Sequence, residues 1–409
     1  MNVAPVAEAN RIQSLDVTRG LAVLGILAVN ASYFAAPWQA TMNPLLPPLA
    51  VDQSTLWSWF MMHVFFEFKF ITLFSLLFGA SLYLVGGERI DAERGAVLRR
   101  RLLWLLIFGI IHASLIWSGD ILVTYALTGF LVLHARSWAP QTLMVVGTVL
   151  LAASIALQSV FGLMFHALSP GQLAEVEAQI WAPPAEELER VSEAYRGGLI
   201  SATLENIALW TQYLVSALLG LMIRTAGVMM IGMALLKFGF LSGKAPRWLY
   251  WVALAIGATA IGAIAWQAWL NVQADFEFAH MQTRGAFVNT ALSIFVSVGY
   301  ASLMVVLVKT GAGRLLSPLA AVGRMAFTNY ITQSLIMTTI FWGGRGLGLF
   351  GEVDRPTLWA IVLAIWALQL IWSPLWLKRF QMGPLEWAWR RLSYRAPVAM
   401  TRSIQGGST

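Results

Sequence analysis

The sequence has no cysteine and few charged residues. Cysteine is absent from all 409 positions, so disulfides, thiolate metal sites and cysteine nucleophiles are excluded. Charged side chains make up 11% of the chain, against about 25% in soluble domains. Hydrophobic residues make up 58% and form long runs rather than the alternation of an outer-membrane barrel. These features predict an all-α, polytopic membrane helix bundle.

The familiar chemical motifs are also missing. We find no phosphate loop, zinc signature or nucleophile elbow, and the histidines and carboxylates match no standard metal-ligand spacing, so we expect no metal. The formal charge of +7 is attributed to orientation in the membrane, so no nucleic-acid partner is expected. No cleavable signal peptide is predicted, because the first fourteen residues are polar.

Ten apolar runs are each about 20 residues or longer, the length that a bilayer core demands. The sequence therefore predicts about ten transmembrane helices. They cover residues 16–36, 56–84, 101–118, 120–136, 140–164, 209–236, 248–271, 286–308, 317–342 and 357–377.

The basic residues indicate how these spans are oriented. With the N-terminus placed in the cytoplasm, eighteen lysines and arginines fall in inner segments and five in outer segments. Cytoplasmic loops carry such an excess, so both termini are predicted to be cytoplasmic. The remaining four lie at membrane depth: Arg19, Lys69, Arg224 and Arg324.

The longest non-membrane segment, 167–208, divides the chain into three parts. Residues 1–166 form a five-helix membrane half, and 209–409 form a second half with a basic cytoplasmic tail. The segment between them is acidic, is expected outside the cell, and has apolar residues at helical spacing. It is interpreted either as amphipathic surface helices or as a plain connector.

Two histidine–carboxylate pairs stand out, because a charge at membrane depth costs about 2.5–3.5 kcal/mol. His63 and Glu67 are four residues apart and share a helix face, an arrangement suited to a general base. Lys69, about 200° further round a continuous helix, is predicted to stand on another face. The alternative is that such charges only form ion pairs that hold helices together.

The second pair is His112 and Asp120. On one helix they would be about 12 Å apart along the axis, too far for a direct hydrogen bond, although both could border one cavity. Asn30, near the outer end of the first span, adds a donor and an acceptor. We therefore predict that His63, Glu67, His112 and Asp120 form the candidate catalytic group, with Asn30 in the same outer cavity.

Four further polar residues are candidates for substrate binding. Asp16 and Arg19 are one helical turn apart and either neutralise each other or contribute to a site. Arg224 lies mid-span, and Arg324 lies in the inner half of its span. Either arginine could contact an anionic ligand, since guanidinium suits phosphate geometry.

Five blocks of sequence occur in order across nearly the whole chain. They are RIQSLDVTRGLAVLGILAVN at 11–30, FFEFKFITLFSLLFGASL at 65–82, WSGDILVTYAL at 117–127, AVGRMAFTNYITQSLI at 321–336 and GPLEWAWRRLSY at 383–394. Together they resemble the YeiB-like family of bacterial inner-membrane proteins. That resemblance implies a multi-pass protein of the bacterial inner membrane.

The first block is also similar to the opening of heparan-α-glucosaminide N-acetyltransferase and other membrane acyltransferases, which begin with an Asp-x-x-Arg-Gly helix. Asp16, Arg19, Gly20 and Asn30 match its positions. The similarity implies a multi-helix enzyme that passes an acyl group from cytoplasmic acyl-CoA to an acceptor sugar or similar compound across the membrane. The lysosomal relative has its active histidine soon after this helix, but 31–62 has none.

Three functions follow as expectations. The first is an acyltransferase in which acyl-CoA is the co-substrate and His63 or His112 activates the acceptor or carries the acyl group. The second is a transporter or exporter whose pathway Glu67, Lys69 and Arg224 would line. The third is a non-catalytic membrane scaffold. Expected partners are the bilayer and a small-molecule or glycan acceptor, and a homo-oligomer is left open.

Overall fold

The structure, a computed structural model, describes residues 11–394 and 397–401, and within these ranges it is helical with no β-strand. The predicted all-α fold is therefore confirmed. The helices are α1 Gln13–Ala35, α2 Trp38–Met42, α3 Leu56–Phe65, α4 Lys69–Gly86, α5 Ala92–Ile111, α6 Leu122–Val132, α7 Pro140–Met164, α8 Pro170–Ile180, α9 Ala185–Arg196, α10 Leu199–Lys237, α11 Arg247–Gln273, α12 Phe278–His280, α13 Ala286–Leu307, α14 Ser317–Arg324, α15 Ala326–Phe341, α16 Arg355–Arg379 and α17 Pro384–Tyr394.

Seven helical segments of the described chain are long and apolar enough to cross a membrane. They are Gln13–Ala35, Leu56–Gly86, Pro140–Ala167, Gly220–Lys237, Arg247–Gln273, Phe278–Ala312 and Arg355–Arg379. The predicted runs at 101–118, 120–136 and 317–342 are not among them. Helix α6 has 11 residues and is about 16 Å long, and α14 and α15 are separate helices. The count of ten and the side of the termini stay predictions.

Helix α1 lies in the middle of the bundle and contacts α4, α14, α15 and α16. It is buried on almost all sides. A Cβ atom on Gly20 would lie 1.9 Å from the carbonyl oxygen of Leu319 in α14, so the two backbones touch. A helix of this length spans about 34 Å, and its two ends therefore lie at opposite ends of the bundle.

The segment between α7 and α10, residues 165–198, is called the linker here. It contains two α-helices, α8 and α9. Among the hydrogen bonds that attach it to the bundle, two are accepted by carbonyl oxygens of the linker. The Asn43 side-chain amide donates to the Trp181 carbonyl oxygen at 2.9 Å, and the Gly343 N–H donates to the Tyr195 carbonyl oxygen at 2.8 Å. Helix α10, 39 residues long, then returns through the bundle against α4 and α7.

Close packing of α10 on α4 predicts the effect of a single methyl group. A Cβ atom at Gly232 would lie 2.0 Å from the Leu76 carbonyl oxygen, so Gly232→Ala must push the helices apart. We expect the free energy of unfolding in detergent to fall by about 1–3 kcal/mol, the usual cost of overpacking.

The matched control is Gly262→Ala on α11, where no described atom lies within 4 Å of the added Cβ atom. This change should leave stability unchanged or raise it by about 0.4–1 kcal/mol. Equal melting temperatures for the two variants would contradict the close approach of α4 and α10.

Candidate functional site

Two cavities lie at opposite ends of α1. The linker-side cavity, of about 970 Å³, is lined by the second half of α1, by α3, and by linker residues such as Trp181 and Arg190. The tail-side cavity, of about 280 Å³, is lined by the first half of α1 and by α17. Ile26 and Ile121 border both cavities, so a thin apolar partition separates them.

The predicted site residues are divided between these cavities. The linker-side cavity is lined by Asn30, His63, Glu67 and Asp120, which the sequence predicted to converge. The tail-side cavity is lined by Asp16, Arg19 and Arg324. His112 and Arg224 are not among the described residues that line either cavity.

His63 and Glu67 form a hydrogen-bonded pair. Nδ1 of His63 is 2.5 Å from Oε2 of Glu67, and the imidazole stacks on Trp59 with ring centroids 4.9 Å apart. A carboxylate oxygen only accepts, so Nδ1 of the neutral ring carries the hydrogen and Nε2 keeps its lone pair. Nε2 has no hydrogen-bond partner among the described residues. The pair therefore holds a base that is buried just behind the cavity wall, where a small side-chain movement brings it to the cavity.

The prediction that Lys69 stands apart from this pair is wrong, because the helix is not continuous. Helix α3 ends at Phe65, α4 begins at Lys69, and Phe68 between them has a left-handed φ of 63°. The break directs the fully buried side chain of Lys69 towards α3, where its Nζ donates a hydrogen bond to the His63 carbonyl oxygen at 2.7 Å.

Asn289 of α13 completes this network. Its Oδ1 accepts from Lys69 Nζ, and its Nδ2 donates to Glu67 Oε2 at 3.2 Å. The amide therefore joins the lysine to the carboxylate and fixes the orientation of both groups. Sequence reasoning missed Asn289, since a lone asparagine in the apolar run 286–308 carries no spacing signal.

The predicted separation of His112 and Asp120 is also wrong. Helix α5 ends at Ile111 and continues as a single wide turn, His112–Ile116, after which Trp117 is extended. The chain therefore doubles back, and His112 Nδ1 lies 2.8 Å from Asp120 Oδ1. The Val123 N–H donates to the other carboxylate oxygen at 2.8 Å.

A third residue completes this second pair. Nε2 of His112 is 2.9 Å from the Ser334 hydroxyl of α15, and both residues are 1% exposed. With Nδ1 donating to Asp120, Nε2 accepts the hydroxyl hydrogen. Serine, histidine and aspartate thus form one continuous chain of hydrogen bonds, the arrangement that activates a serine nucleophile. Ser334 was not singled out from the sequence.

Arg224 lies within the bundle. It donates to the hydroxyls of Thr72 at 3.1 Å and Ser293 at 2.7 Å. The structure places it against neutral acceptors on α4 and α13. Its assignment to substrate binding stays a prediction.

The tail-side cavity is rich in arginine. Its described wall contains two carboxylates, Asp16 and Glu386, and five arginines: Arg11, Arg19, Arg101, Arg324 and Arg390. Arg19 and Arg11 both approach Asp16, at 3.0 and 3.6 Å, as the spacing of Asp16 and Arg19 predicted. Such an excess of guanidinium groups at one cavity favours an anionic ligand.

Helix α17 closes this cavity and is attached through Glu386. The carboxylate accepts hydrogen bonds from the Phe327 N–H at 2.7 Å and the Thr328 N–H at 3.1 Å, which caps the start of α15. On the same helix, the pKa of Arg390 is lowered to about 10 by burial and by the positive charges of Arg101 and Arg11. A bound anion would relieve this repulsion.

The network around Lys69 predicts a large loss of stability in Lys69→Met. The change leaves the His63 carbonyl and Asn289 Oδ1 without this donor, and each unsatisfied buried acceptor costs about 1–3 kcal/mol. We expect the free energy of unfolding in detergent to fall by about 3 kcal/mol. Lys244→Met, at an exposed position, is the control, and equal stability of the two variants would contradict the network.

Comparison with known proteins identifies the family. A family model described as "Protein of unknown function (DUF418)" matches residues 235–396. The chain is 34% identical to the uncharacterized protein YeiB of Escherichia coli (strain K12), covering 94% of this chain and 96% of that protein. It is 31% identical to the uncharacterized protein YxaH of Bacillus subtilis (strain 168), covering 98% and 100%. No solved structure matches. The chain belongs to the YeiB-like family.

Proposed function

We propose that this protein is an acyltransferase of the bacterial inner membrane that moves an acyl group from cytoplasmic acyl-CoA to an acceptor outside. The observation that carries the proposal is the pair of cavities at opposite ends of α1. The tail-side cavity has an excess of arginines, and the linker-side cavity has a histidine with a free ring nitrogen. The phosphates of a donor such as acyl-CoA require positively charged groups, and an acceptor that must lose a proton requires a base.

The donor site is the tail-side cavity, which faces the cytoplasm in the orientation that the basic loops predict. Arg19, Arg324 and Arg390 bind phosphate oxygens of acyl-CoA there. Apolar side chains such as Leu77 and Phe78 line the same cavity and contact the part of the acyl chain next to the thioester, because a volume of about 280 Å³ does not enclose a whole acyl-CoA. The thioester then points towards the partition formed by Ile26 and Ile121.

The acceptor site is the linker-side cavity. An acceptor hydroxyl or amine loses its proton to His63 Nε2, while Glu67 stabilises the positive imidazolium that forms. Asn30 and Asn289 line the same cavity and offer amide groups for hydrogen bonds to the acceptor. The cavity volume of about 970 Å³ is in the range of sites that bind small molecules, including a sugar unit.

A transporter is the second candidate, because two cavities separated by a thin partition also suit alternating access. The two functions differ in the fate of the substrate. A transporter releases its substrate unchanged, whereas a transferase consumes acyl-CoA and gives free CoA and an acylated product. Sealed native vesicles supplied with labelled acetyl-CoA or palmitoyl-CoA distinguish them, because only transfer places the label in a compound that lacks CoA.

Arg390→Gln tests the donor site. Removing one charge-assisted hydrogen bond to phosphate costs about 1.5–3 kcal/mol, so the dissociation constant for acyl-CoA should rise about 10- to 100-fold. The measurement is binding of palmitoyl-CoA to the full chain in lipid nanodiscs. Arg247→Gln, at an exposed position on α11, should bind like the parent. Equal affinity of both variants would contradict a phosphate site beside α17.

His63→Gln tests the acceptor site. Loss of a general base lowers the rate of transfer by about 10²- to 10⁴-fold, while acyl-CoA affinity stays at the parental value because the donor cavity is unchanged. His166→Gln, at an exposed position, is the control. A parental transfer rate in His63→Gln would remove His63 from the chemistry.

A further inference from the structure

The Ser334–His112–Asp120 chain of hydrogen bonds lies where the two cavities come closest. Asp120 borders the linker-side cavity, and its neighbour Ile121 borders both cavities. On α15, Tyr330 lies one turn before Ser334 and lines the tail-side cavity. The Tyr330 ring also packs against the His112 ring, with centroids 5.2 Å apart. Ser334 itself is 1% exposed and is not among the described residues that line either cavity, so it is buried close to the partition.

Neighbouring polar residues of α15 show what an ordinary helix lock looks like in this protein. The Gln333 amide donates to Gln369 at 2.8 Å, and the Asn329 amide donates to Ser373 at 3.1 Å. Both contacts join neutral groups on α15 and α16. Ser334 instead meets an imidazole that is itself oriented by a carboxylate, which is the combination that makes a serine nucleophilic.

We propose that Ser334 is an acyl carrier, which receives the acyl group from the tail-side cavity and gives it up to the linker-side cavity as a covalent serine ester. This inference rests on the proposed acyltransferase function. It answers a geometric difficulty of that function, since a donor and an acceptor in separate cavities do not meet. A buried serine beside the partition brings the two half-reactions together, once movement of the surrounding side chains exposes it to each cavity in turn.

The first half-reaction forms the ester. Ser334 Oγ attacks the thioester carbonyl carbon, and the hydroxyl proton passes to His112 Nε2. The carbon–sulfur bond breaks, and the CoA thiolate leaves into the tail-side cavity, where it takes a proton from water. His112 now carries a positive charge, which the Asp120 carboxylate stabilises.

The second half-reaction transfers the acyl group. The acceptor oxygen or nitrogen attacks the ester carbonyl carbon and loses its proton to His63 Nε2. The carbon–oxygen bond to Ser334 breaks, and Oγ takes back the proton that His112 holds. His63 then releases its proton to water on the linker side. His112 with Asp120 thus activates and then reprotonates Ser334, and His63 with Glu67 activates the acceptor, which accounts for the presence of two pairs.

Trapping the ester is the direct test. The full chain in lipid nanodiscs is incubated with radiolabelled acetyl-CoA or palmitoyl-CoA, quenched in acid, and analysed by peptide mass spectrometry. In His63→Gln the second half-reaction is slow, so label should accumulate on Ser334 towards one acyl group per chain. The double variant His63→Gln, Ser334→Ala should retain no label. The control His63→Gln, Ser373→Ala removes another buried serine of the bundle and should label like His63→Gln.

Ser334→Cys keeps the test decisive if the alanine variant does not fold. The chain has no cysteine, so residue 334 then provides the sole thiol. With acyl-CoA we expect a thioester at this position that neutral hydroxylamine cleaves, whereas the serine ester of the parent sequence withstands that treatment. Thiol acylation should also be lost when His112→Gln is added.

Two outcomes would overturn the inference. Transfer at the parental rate in Ser334→Ala, with no acyl group on any variant, would mean direct transfer and would leave the acyltransferase proposal intact. If the protein neither binds palmitoyl-CoA nor releases free CoA from it, both the acyl-carrier inference and the acyltransferase proposal are wrong.

Discussion

The free-energy cost of burying polar groups in an apolar bundle determines how the helices of this protein pack. Water is not available there to satisfy a lysine, a carboxylate or an amide, so each must find its partner on another helix. Lys69, Glu67 and Asn289 satisfy one another across α4, the break before it, and α13. Such contacts fix helix positions as well as side-chain orientations, and they hold the His63 imidazole in a single geometry.

Interruptions in two helices bring together site residues that continuous helices would hold apart. At the break between α3 and α4 the chain reverses the direction of Lys69, and at the wide turn after α5 it returns Asp120 to His112. Both histidine–carboxylate pairs therefore stand at helix ends inside the bundle. A non-helical backbone at this depth is tolerated only where it is buried in protein or lines a cavity, and the linker-side cavity provides that place.

The sequence predicted the fold class and some neighbouring pairs of the candidate site, because hydrophobic run length and helical spacing are local properties. His63 with Glu67 and Asp16 with Arg19 lie one helical turn apart and were predicted as neighbours. His112 with Asp120, and Lys69 with Asn289, depend on helix breaks and on contacts between distant segments. Ser334 could not be recognised from the sequence, since a serine in a helix becomes a candidate nucleophile only when a base such as His112 lies next to it in the fold. A local pattern contains none of this information.

The thin partition at Ile26 and Ile121 has an electrical consequence. In a bilayer, water-filled cavities on either side of this partition would concentrate the transmembrane voltage across it. A unit charge crossing the full voltage exchanges about 2.3 kcal/mol per 100 mV. Asp120, which lines the linker-side cavity, and His112, which is hydrogen-bonded to it, would then lie where movement of charge is coupled to that voltage.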